Sequence, residues 1–109
     1  MIKNEPFPVN ADIYILKIKI FYELGFTDSA LSVADSFRHF LSGSKLISDN
    51  FGQLHYNFLK YFNIIAKLKS NKNVKKMNKL HHDIKECRNI RDKNWLLSKT
   101  VEIIEDIEK

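Results

Sequence analysis

The central part of this 109-residue chain carries large apolar side chains at alternating intervals of three and four residues. The series is Phe51, Leu54, Phe58, Tyr61, Ile65 and Leu68, and neither glycine nor proline falls within residues 53–69. Residues at this spacing share one face of an α-helix, so the pattern predicts a helix over about residues 49–69 with a continuous buried seam. A second apolar series is Leu59, Phe62 and Ala66. The two series together predict a central helix with neighbours on both sides.

The same periodicity predicts four further helices. The first can be capped by Asn10 or Asp12 and runs to about Leu24, and the others cover about residues 29–41, 74–89 and 93–108. A short break near residues 89–94 would separate the last two helices, with Asp92 available to cap the second of them. The two could instead form one bent helix, because nothing between them forces a stop. On the last helix two stripes are expected to face inward: Leu97, Val101 and Ile104, and Leu96, Ile103 and Ile107. Residues 1–9 contain both prolines and are expected to be an irregular lead-in. With only three glycines and two prolines, the chain favours an all-α fold of about five antiparallel helices in a single domain over residues 1–109.

The first helix is apolar over a broad face. Ile13, Leu16, Ile20 and Leu24 form one stripe, and Tyr14, Ile18 and Phe21 lie beside it. A face this broad exceeds what one amphipathic helix needs. It therefore predicts something further packed against this helix, either the rest of a longer chain or, in a homodimer, a second copy.

The segment "FYELGFTDSALSVADSF", residues 21–37, reads as a helical hairpin. Gly25 can adopt the left-handed conformation that ends the first helix, and Asp28 can cap the second. Ala30, Ala34, Phe37 and Leu41 share the face of the second helix that is expected to be buried.

Residues 14–42, with Gly25 in the turn and Ala30 in the second helix, resemble one degenerate tetratricopeptide repeat. Over most of the chain, the order of "FYELG", "ADSFRHFL", "NFLKYF", a basic helix and "NWLLSK" is similar to the carboxy-terminal region of uncharacterised tetratricopeptide-like helical proteins of Bacteroidetes. This resemblance implies a right-handed helical array from a bacterium and a chain that is a fragment of a longer repeat protein. It implies no catalytic residues.

Positive charge is concentrated in residues 60–93, which hold eleven Lys or Arg and three Asp or Glu, whereas the whole chain has a net charge of +5. The residues predicted as a possible interaction surface are Lys72, Lys75, Lys76, Lys79, Arg88, Arg91 and Trp95. Residues 67–93 could bind nucleic acid or an acidic partner. However, no aromatic residue for base stacking lies between Phe62 and Trp95, and a lysine-rich face is more often the solvated side of a helix. Trp95 could be an anchor at an interface or could staple the last helix onto the central one.

Few residues suggest chemistry. His81, His82, Glu86 and Cys87 are close in sequence, but a zinc site needs three or four convergent ligands, and the chain has one cysteine. His39 and His55 have no recognisable catalytic partner, and no phosphate-binding glycine loop, nucleophile elbow or HExxH motif is present. We therefore expect no enzyme, metal or cofactor.

No signal segment and no apolar run of about 18 residues is visible in the sequence, so we expect a cytoplasmic protein that does not enter the membrane. The preferred hypothesis is a scaffold that presents a helical surface to another protein or to the rest of its own chain. Binding of nucleic acid or an acidic partner through residues 67–93 is the alternative.

Overall fold

A computed structural model describes residues 7–43 and 49–109 of the chain. Within these ranges it contains five α-helices and no strand: α1 (Phe7–Glu23), α2 (Thr27–Gly43), α3 (Asp49–Leu68), α4 (Val74–Glu86) and α5 (Lys93–Glu108). The helices group into two compact units, one with α1 and α2 and one with α3, α4 and α5. The all-α class is thereby confirmed, and the single domain over residues 1–109 stays a prediction.

The turn between α1 and α2 follows the glycine prediction. Gly25 has a φ of 85°, its N–H donates to the carbonyl of Tyr22 at 3.0 Å, and the N–H of Phe26 donates to the carbonyl of Phe21 at 2.8 Å. This pair of bonds is a Schellman motif, which satisfies carbonyls at the end of α1. The predicted cap at Asp28 is wrong, because α2 begins at Thr27 and Asp28 lies in its first turn. There its carboxylate still interacts favourably with the helix dipole.

The described part of the chain is helical from Phe7, so the predicted irregular lead-in is wrong for residues 7–9, and Asn10 and Asp12 lie inside α1 rather than at its cap. Pro8 fits in this first turn because the N–H groups there have no acceptor within the helix. Residues 1–6, which the same prediction covered, lie outside the described residues.

The first unit is an antiparallel hairpin whose α2 core matches the prediction, since Ala30, Ala34, Phe37 and Leu41 are all buried. On α1 the buried residues are Ala11, Ile15, Ile18 and Tyr22. The rings of Tyr14 and Phe37 stack with centroids 5.0 Å apart, which sets the register of the hairpin. In that register Ala30 lies level with Tyr22 and Ala34 level with Ile18, so small residues on one helix face large ones on the other and the axes can approach closely.

Helix α3 has the bounds predicted for it to within one residue, and the members of both apolar series whose side chains are described are buried or half-buried. Its buried apolar residues are Phe58, Leu59, Tyr61, Phe62, Ile65 and Ala66, whereas Leu54 and Leu68 are half-buried. The side chain of Phe51 lies outside the described part. The rings of Phe58 and Phe62 stack 6.1 Å apart, and the ring of Trp95 lies 6.3 Å from each of them. This aromatic cluster joins α3 to α5.

Helix α4 ends at Glu86, three residues earlier than predicted, because Cys87 is extended with a ψ of 120°. Residues 87–92 then separate α4 from α5, which decides against one bent helix. This connection is fastened to α3, since the N–H of Arg91 donates to the carbonyl of Leu54 at 3.1 Å and the Asn57 amide donates to the carbonyl of Asn89 at 2.7 Å.

Asp92 precedes α5, as predicted, but it does not cap the helix with its side chain. The residue is left-handed with a φ of 53°, and it makes no side-chain hydrogen bond to the first turn of α5. Its carboxylate instead accepts from Nε of Arg91 at 3.0 Å. The neighbouring guanidinium thus draws the carboxylate away from the capping position.

We expect Phe58→Ala to lower the free energy of unfolding by about 3–5 kcal/mol, because Phe58 is fully buried in the aromatic cluster and its loss leaves a cavity. The measurement is urea denaturation followed by circular dichroism. Lys79→Ala on the exposed side of α4 is the control and should change the value by no more than about 0.5 kcal/mol. A loss below about 1 kcal/mol for Phe58→Ala would show that α3 is not central.

Candidate interaction surfaces

One side of α1 is an exposed apolar surface. It consists of Val9, Ile13, Leu16, Ile20 and Leu24, each 40–61% exposed, and we call it the α1 stripe. Leu24 belongs to it because its N–H still donates to the carbonyl of Ile20 at 3.0 Å, which extends the helix by one residue. Elsewhere in the described part of the chain only two large apolar side chains are exposed, Phe26 and Val101. Exposed apolar surface is thus concentrated on a single helix.

The α1 stripe contains the four residues that the sequence placed on one stripe, but these residues are not the buried side of α1. Each residue of a helix is rotated by about 100° from the one before, so Ile18 and Ile20 point in nearly opposite directions. The buried residues Ala11, Ile15, Ile18 and Tyr22 form one side, and the α1 stripe forms the other. The broad apolar face seen in the sequence is therefore two separate faces.

Charged side chains border the α1 stripe along both edges. Helical geometry places Asp12, Lys19 and Glu23 along one edge and Lys17 with Asn10 along the other. Asp12, Lys17 and Glu23 are exposed, and Lys19 is half-buried. Because each edge has its own order of charges, a partner on the stripe would be selected by charge as well as by apolar contact.

The residues predicted as a basic interaction surface are spread along α4 and beyond both of its ends. Lys72, Lys75, Lys76, Lys79 and Arg88 are exposed, whereas Arg91 and Trp95 are half-buried. Lys72 precedes α4 in a left-handed conformation with a φ of 56°, and Arg88 and Arg91 follow its end. The residues form two groups, one of Lys72, Lys75, Lys76 and Lys79 around the beginning of α4 and one of Arg88 and Arg91 after its end. Helix α4, which lies between Lys72 and Arg88, measures about 20 Å.

Acidic residues of α5 lie at the same end of the α4–α5 pair as the first of these groups. Helices α4 and α5 are antiparallel, since Nζ of Lys93 donates to the carbonyl of Lys85 at 2.9 Å and His81 of α4 contacts Thr100 of α5. The end of α5 therefore lies beside the beginning of α4. Glu105, Asp106 and Glu108 are exposed there. In addition, Nζ of Lys79 lies 2.9 Å from a carboxylate oxygen of Asp83. The positive potential of this surface is consequently lower than the count of lysines suggests.

Trp95 packs inside the second unit. Its ring contacts Phe58 and Phe62 of α3, and Nζ of Lys99 lies 5.6 Å from its centroid. Of the two roles predicted for Trp95, these contacts agree with the one in which it packs α5 against α3. A further role at an interface stays a prediction.

Sequence patterns missed two buried polar residues of α5, Lys99 and Thr100. They also predicted Val101 to face inward, whereas Val101 is exposed. Nζ of Lys99 contacts both carboxylate oxygens of Glu102, at 3.1 and 2.9 Å. The sequence does contain a signal for the position of Lys99. Trp95, Lys99 and Glu102 are spaced four and three residues apart, and residues at these intervals on a helix are neighbours.

Thr100 links α5 to α4 through its hydroxyl group. The hydroxyl donates to the carbonyl of Leu97 at 2.7 Å, and it lies 2.7 Å from Nδ1 of His81. A threonine hydroxyl has a single proton, so Nδ1 of His81 must carry the proton of the second bond. This hydrogen bond places the proton of the His81–Thr100 pair on Nδ1 and gives His81 a part in joining α4 to α5.

The other side chains weighed for chemistry were His39, His55, His82, Glu86 and Cys87. Nε2 of His39 lies 3.4 Å from a carboxylate oxygen of Asp35, on the exposed side of α2, and His55 is fully buried in α3. Cys87 is half-buried with a free thiol. Across residues 7–43 and 49–109, no three His, Cys, Asp or Glu side chains converge so that they could hold a metal ion.

Comparison with known proteins adds no relative. No protein-family model matches the sequence, and no curated protein or solved structure is significantly similar to it. The resemblance of residues 14–42 to a tetratricopeptide repeat therefore stays a prediction. Among the described helices, none has both the length and the apolar character required to cross a bilayer.

We expect Thr100→Val to lower the free energy of unfolding by about 1–2 kcal/mol, because it removes the acceptor for Nδ1–H of His81 while it preserves the side-chain shape. The comparison is made by denaturation in the wild type and in a His81→Leu background. In the His81→Leu background, the loss of unfolding free energy caused by Thr100→Val should be smaller by about 1 kcal/mol than in the wild type. An equal cost in both backgrounds would show that the hydrogen bond is not the cause.

Ile13 and Ile15 provide a matched test of the two faces of α1. Ile15 is fully buried, so Ile15→Ala should cost about 2–4 kcal/mol, whereas Ile13→Ala on the exposed stripe should cost less than about 1 kcal/mol. Both are measured at a protein concentration of about 1 μM, so that the mass-action contribution of any association is small. Equal costs would mean that the α1 stripe is covered within the chain.

Proposed function

We propose that this protein is a non-enzymatic helical module that binds another protein through the α1 stripe. The observation that carries the proposal is the exposure of five large apolar side chains along one side of one helix. Contiguous exposed apolar surface that is bordered by polar residues marks interaction sites on soluble proteins. The charged edges of the stripe, with Asp12 and Lys17 among them, fit this description.

The energy available from the α1 stripe sets what kind of partner it needs. Complete burial of a half-exposed Leu, Ile or Val contributes about 1 kcal/mol, so the five residues together contribute roughly 5 kcal/mol. Association costs about 4–15 kcal/mol in lost freedom of motion. The partner must therefore supply an apolar surface of its own, and a polar or purely charged ligand would not suffice.

The hairpin supports the further proposal that the module is tetratricopeptide-like. The glycine turn at Gly25 and the buried small residue Ala30 of α2 are the features that carry this resemblance. In an array of such hairpins each helix pair covers the outer side of its neighbour. The α1 stripe is suited to that role as well, with a helical partner lying along it.

Binding of nucleic acid or an acidic partner through residues 67–93 is the weaker candidate. The exposed lysines of α4 favour it. The carboxylates of Glu105, Asp106 and Glu108 at the same end of the α4–α5 pair oppose it, because they lower the positive potential that would attract phosphate. In the described part of the second unit, the lysines of α4 therefore share their end of the helix pair with negative charge.

Site-specific photocrosslinking tests the proposed function. A photoreactive phenylalanine analogue replaces Leu16 in the full chain, and a matched chain carries it at Ser36, an exposed position of α2. After irradiation in a lysate of the producing cells, we expect protein adducts from position 16 and none from position 36. Adding Ile20→Glu should reduce the adducts from position 16 several-fold, since the new carboxylate lies within the α1 stripe and would lose its hydration when a partner covers it. Adducts that form equally at both positions, or none at position 16, would contradict the proposal.

A further inference from the structure

We propose that the protein covering the α1 stripe is a second copy of this chain, whose own α1 lies antiparallel on it. The inference rests on the proposed function, because it requires the stripe to be an interface, and it goes further by naming the partner and its orientation. Three properties of the described residues lead to it: the spacing of the stripe, the order of charges along its edges, and the small size of the surface.

The spacing makes the stripe complementary to itself. Val9, Ile13, Leu16 and Ile20 follow one another at intervals of four, three and four residues, the spacing of a two-helix seam. Two such helices pack by inserting the side chains of one between those of the other. In the antiparallel register that uses all four residues, Ile13 lies opposite the partner's Leu16 and Val9 lies opposite the partner's Ile20.

The charges along the edges select the antiparallel orientation. In the register described above, two-fold symmetry brings the edge with Asp12 and Lys19 against the same edge of the partner, in reverse order. Asp12 then faces the partner's Lys19, and Lys19 faces the partner's Asp12. Along the other edge Lys17 meets the partner's Asn10, so no like charges are opposed.

A parallel, in-register pair is less favourable. It places every residue at the height of its own copy, so Lys17 and Lys19 of both chains gather at one level, and their repulsion offsets the attraction between Asp12 and the partner's Lys17. The two helix dipoles also point the same way in that arrangement, whereas they are opposed in the antiparallel pair. Opposed dipoles and paired charges both favour the antiparallel dimer.

The size of the stripe predicts a weak dimer. The four half-exposed side chains that this register buries on each copy give an interface smaller than the roughly 800 Å² per partner of a standard complex. A two-fold dimer uses the same patch on both subunits, so the α1 stripe alone is sufficient to form the interface. We therefore expect a dissociation constant of roughly 1–100 μM, typical of small interfaces that form and separate readily.

Sedimentation velocity on the full chain at about 1–500 μM tests for the dimer over the range expected for weak association. The apparent mass should rise from 12.8 kDa towards twice that value. Ile20→Glu should remain monomeric throughout, whereas Ser36→Glu, which adds the same charge to an exposed position of α2, should dimerise like the wild type. A monomer at every concentration, or a dimer that Ile20→Glu leaves intact, would overturn the inference.

Charge exchange tests the partner's orientation. Asp12→Lys and Lys19→Asp should each weaken self-association by at least about fivefold, because each places like charges opposite each other twice. An equimolar mixture of the two variants should associate as well as the wild type, since both ion pairs are restored in the mixed dimer. In a parallel dimer Asp12 would lie near the partner's Lys17, and the mixture would not recover. Absence of recovery therefore rejects the antiparallel pairing.

The two sets of experiments separate this inference from the proposed function. A chain that stays monomeric but forms Leu16 crosslinks to a different protein retains its proposed function and loses the second copy as partner. A chain that stays monomeric and forms no such crosslinks loses both. Crosslinks from position 16 to a second copy, together with recovery in the charge-exchange mixture, support both.

Discussion

Close packing of α1 against α2 buries one side of α1 and leaves the opposite side in water. Ala30 and Ala34 allow the two helix axes to approach, and Ile18 and Tyr22 fill the space beside them. A helix can present only one face to a single neighbour. Since α1 is apolar on two faces, the hairpin cannot satisfy both of them, and the α1 stripe remains. The proposed function and the proposed dimer both follow from this geometric constraint.

Prediction from the sequence succeeded where a helix has one dominant apolar face. The buried faces of α2 and α3 agreed with the pattern, and Gly25 marked the end of α1 correctly. On α1 the periodicity is consistent with either of two faces, because Ile13 and Ile15 have the same hydrophobicity. The choice depends on which face meets the small residues of α2, and that is a property of the pair of helices rather than of either segment. Asp92 shows a similar limit, since it stands at the N-cap of α5 but its carboxylate bonds Arg91 instead of the first turn of the helix.

Buried polar residues were beyond the reach of periodicity. Lys99 and Thr100 count as polar in any hydrophobic pattern, yet both are buried because nearby groups satisfy them. Glu102 neutralises the Lys99 ammonium, and His81 and Leu97 complete the hydrogen bonds of Thr100. A buried polar group costs little when it is fully hydrogen-bonded, so the partners and not the residue type decide its position. The excess of positive charge in residues 60–93 shows the same limit, because antiparallel packing of α5 brings acidic residues to the end of the helix pair that carries the first lysines of α4.

An exposed apolar stripe must be protected from unspecific association, and the charged edges of α1 provide that protection. Any surface that covers the stripe must also face Asp12 and Lys19 on one edge and Lys17 on the other, so a partner with the wrong order of charges meets repulsion. Apolar contact supplies most of the affinity, whereas the edges determine which surface is accepted. A reversed copy of the same helix satisfies both conditions without any further residue. In the proposed dimer the selectivity of the interface is therefore contained in the α1 sequence that forms it.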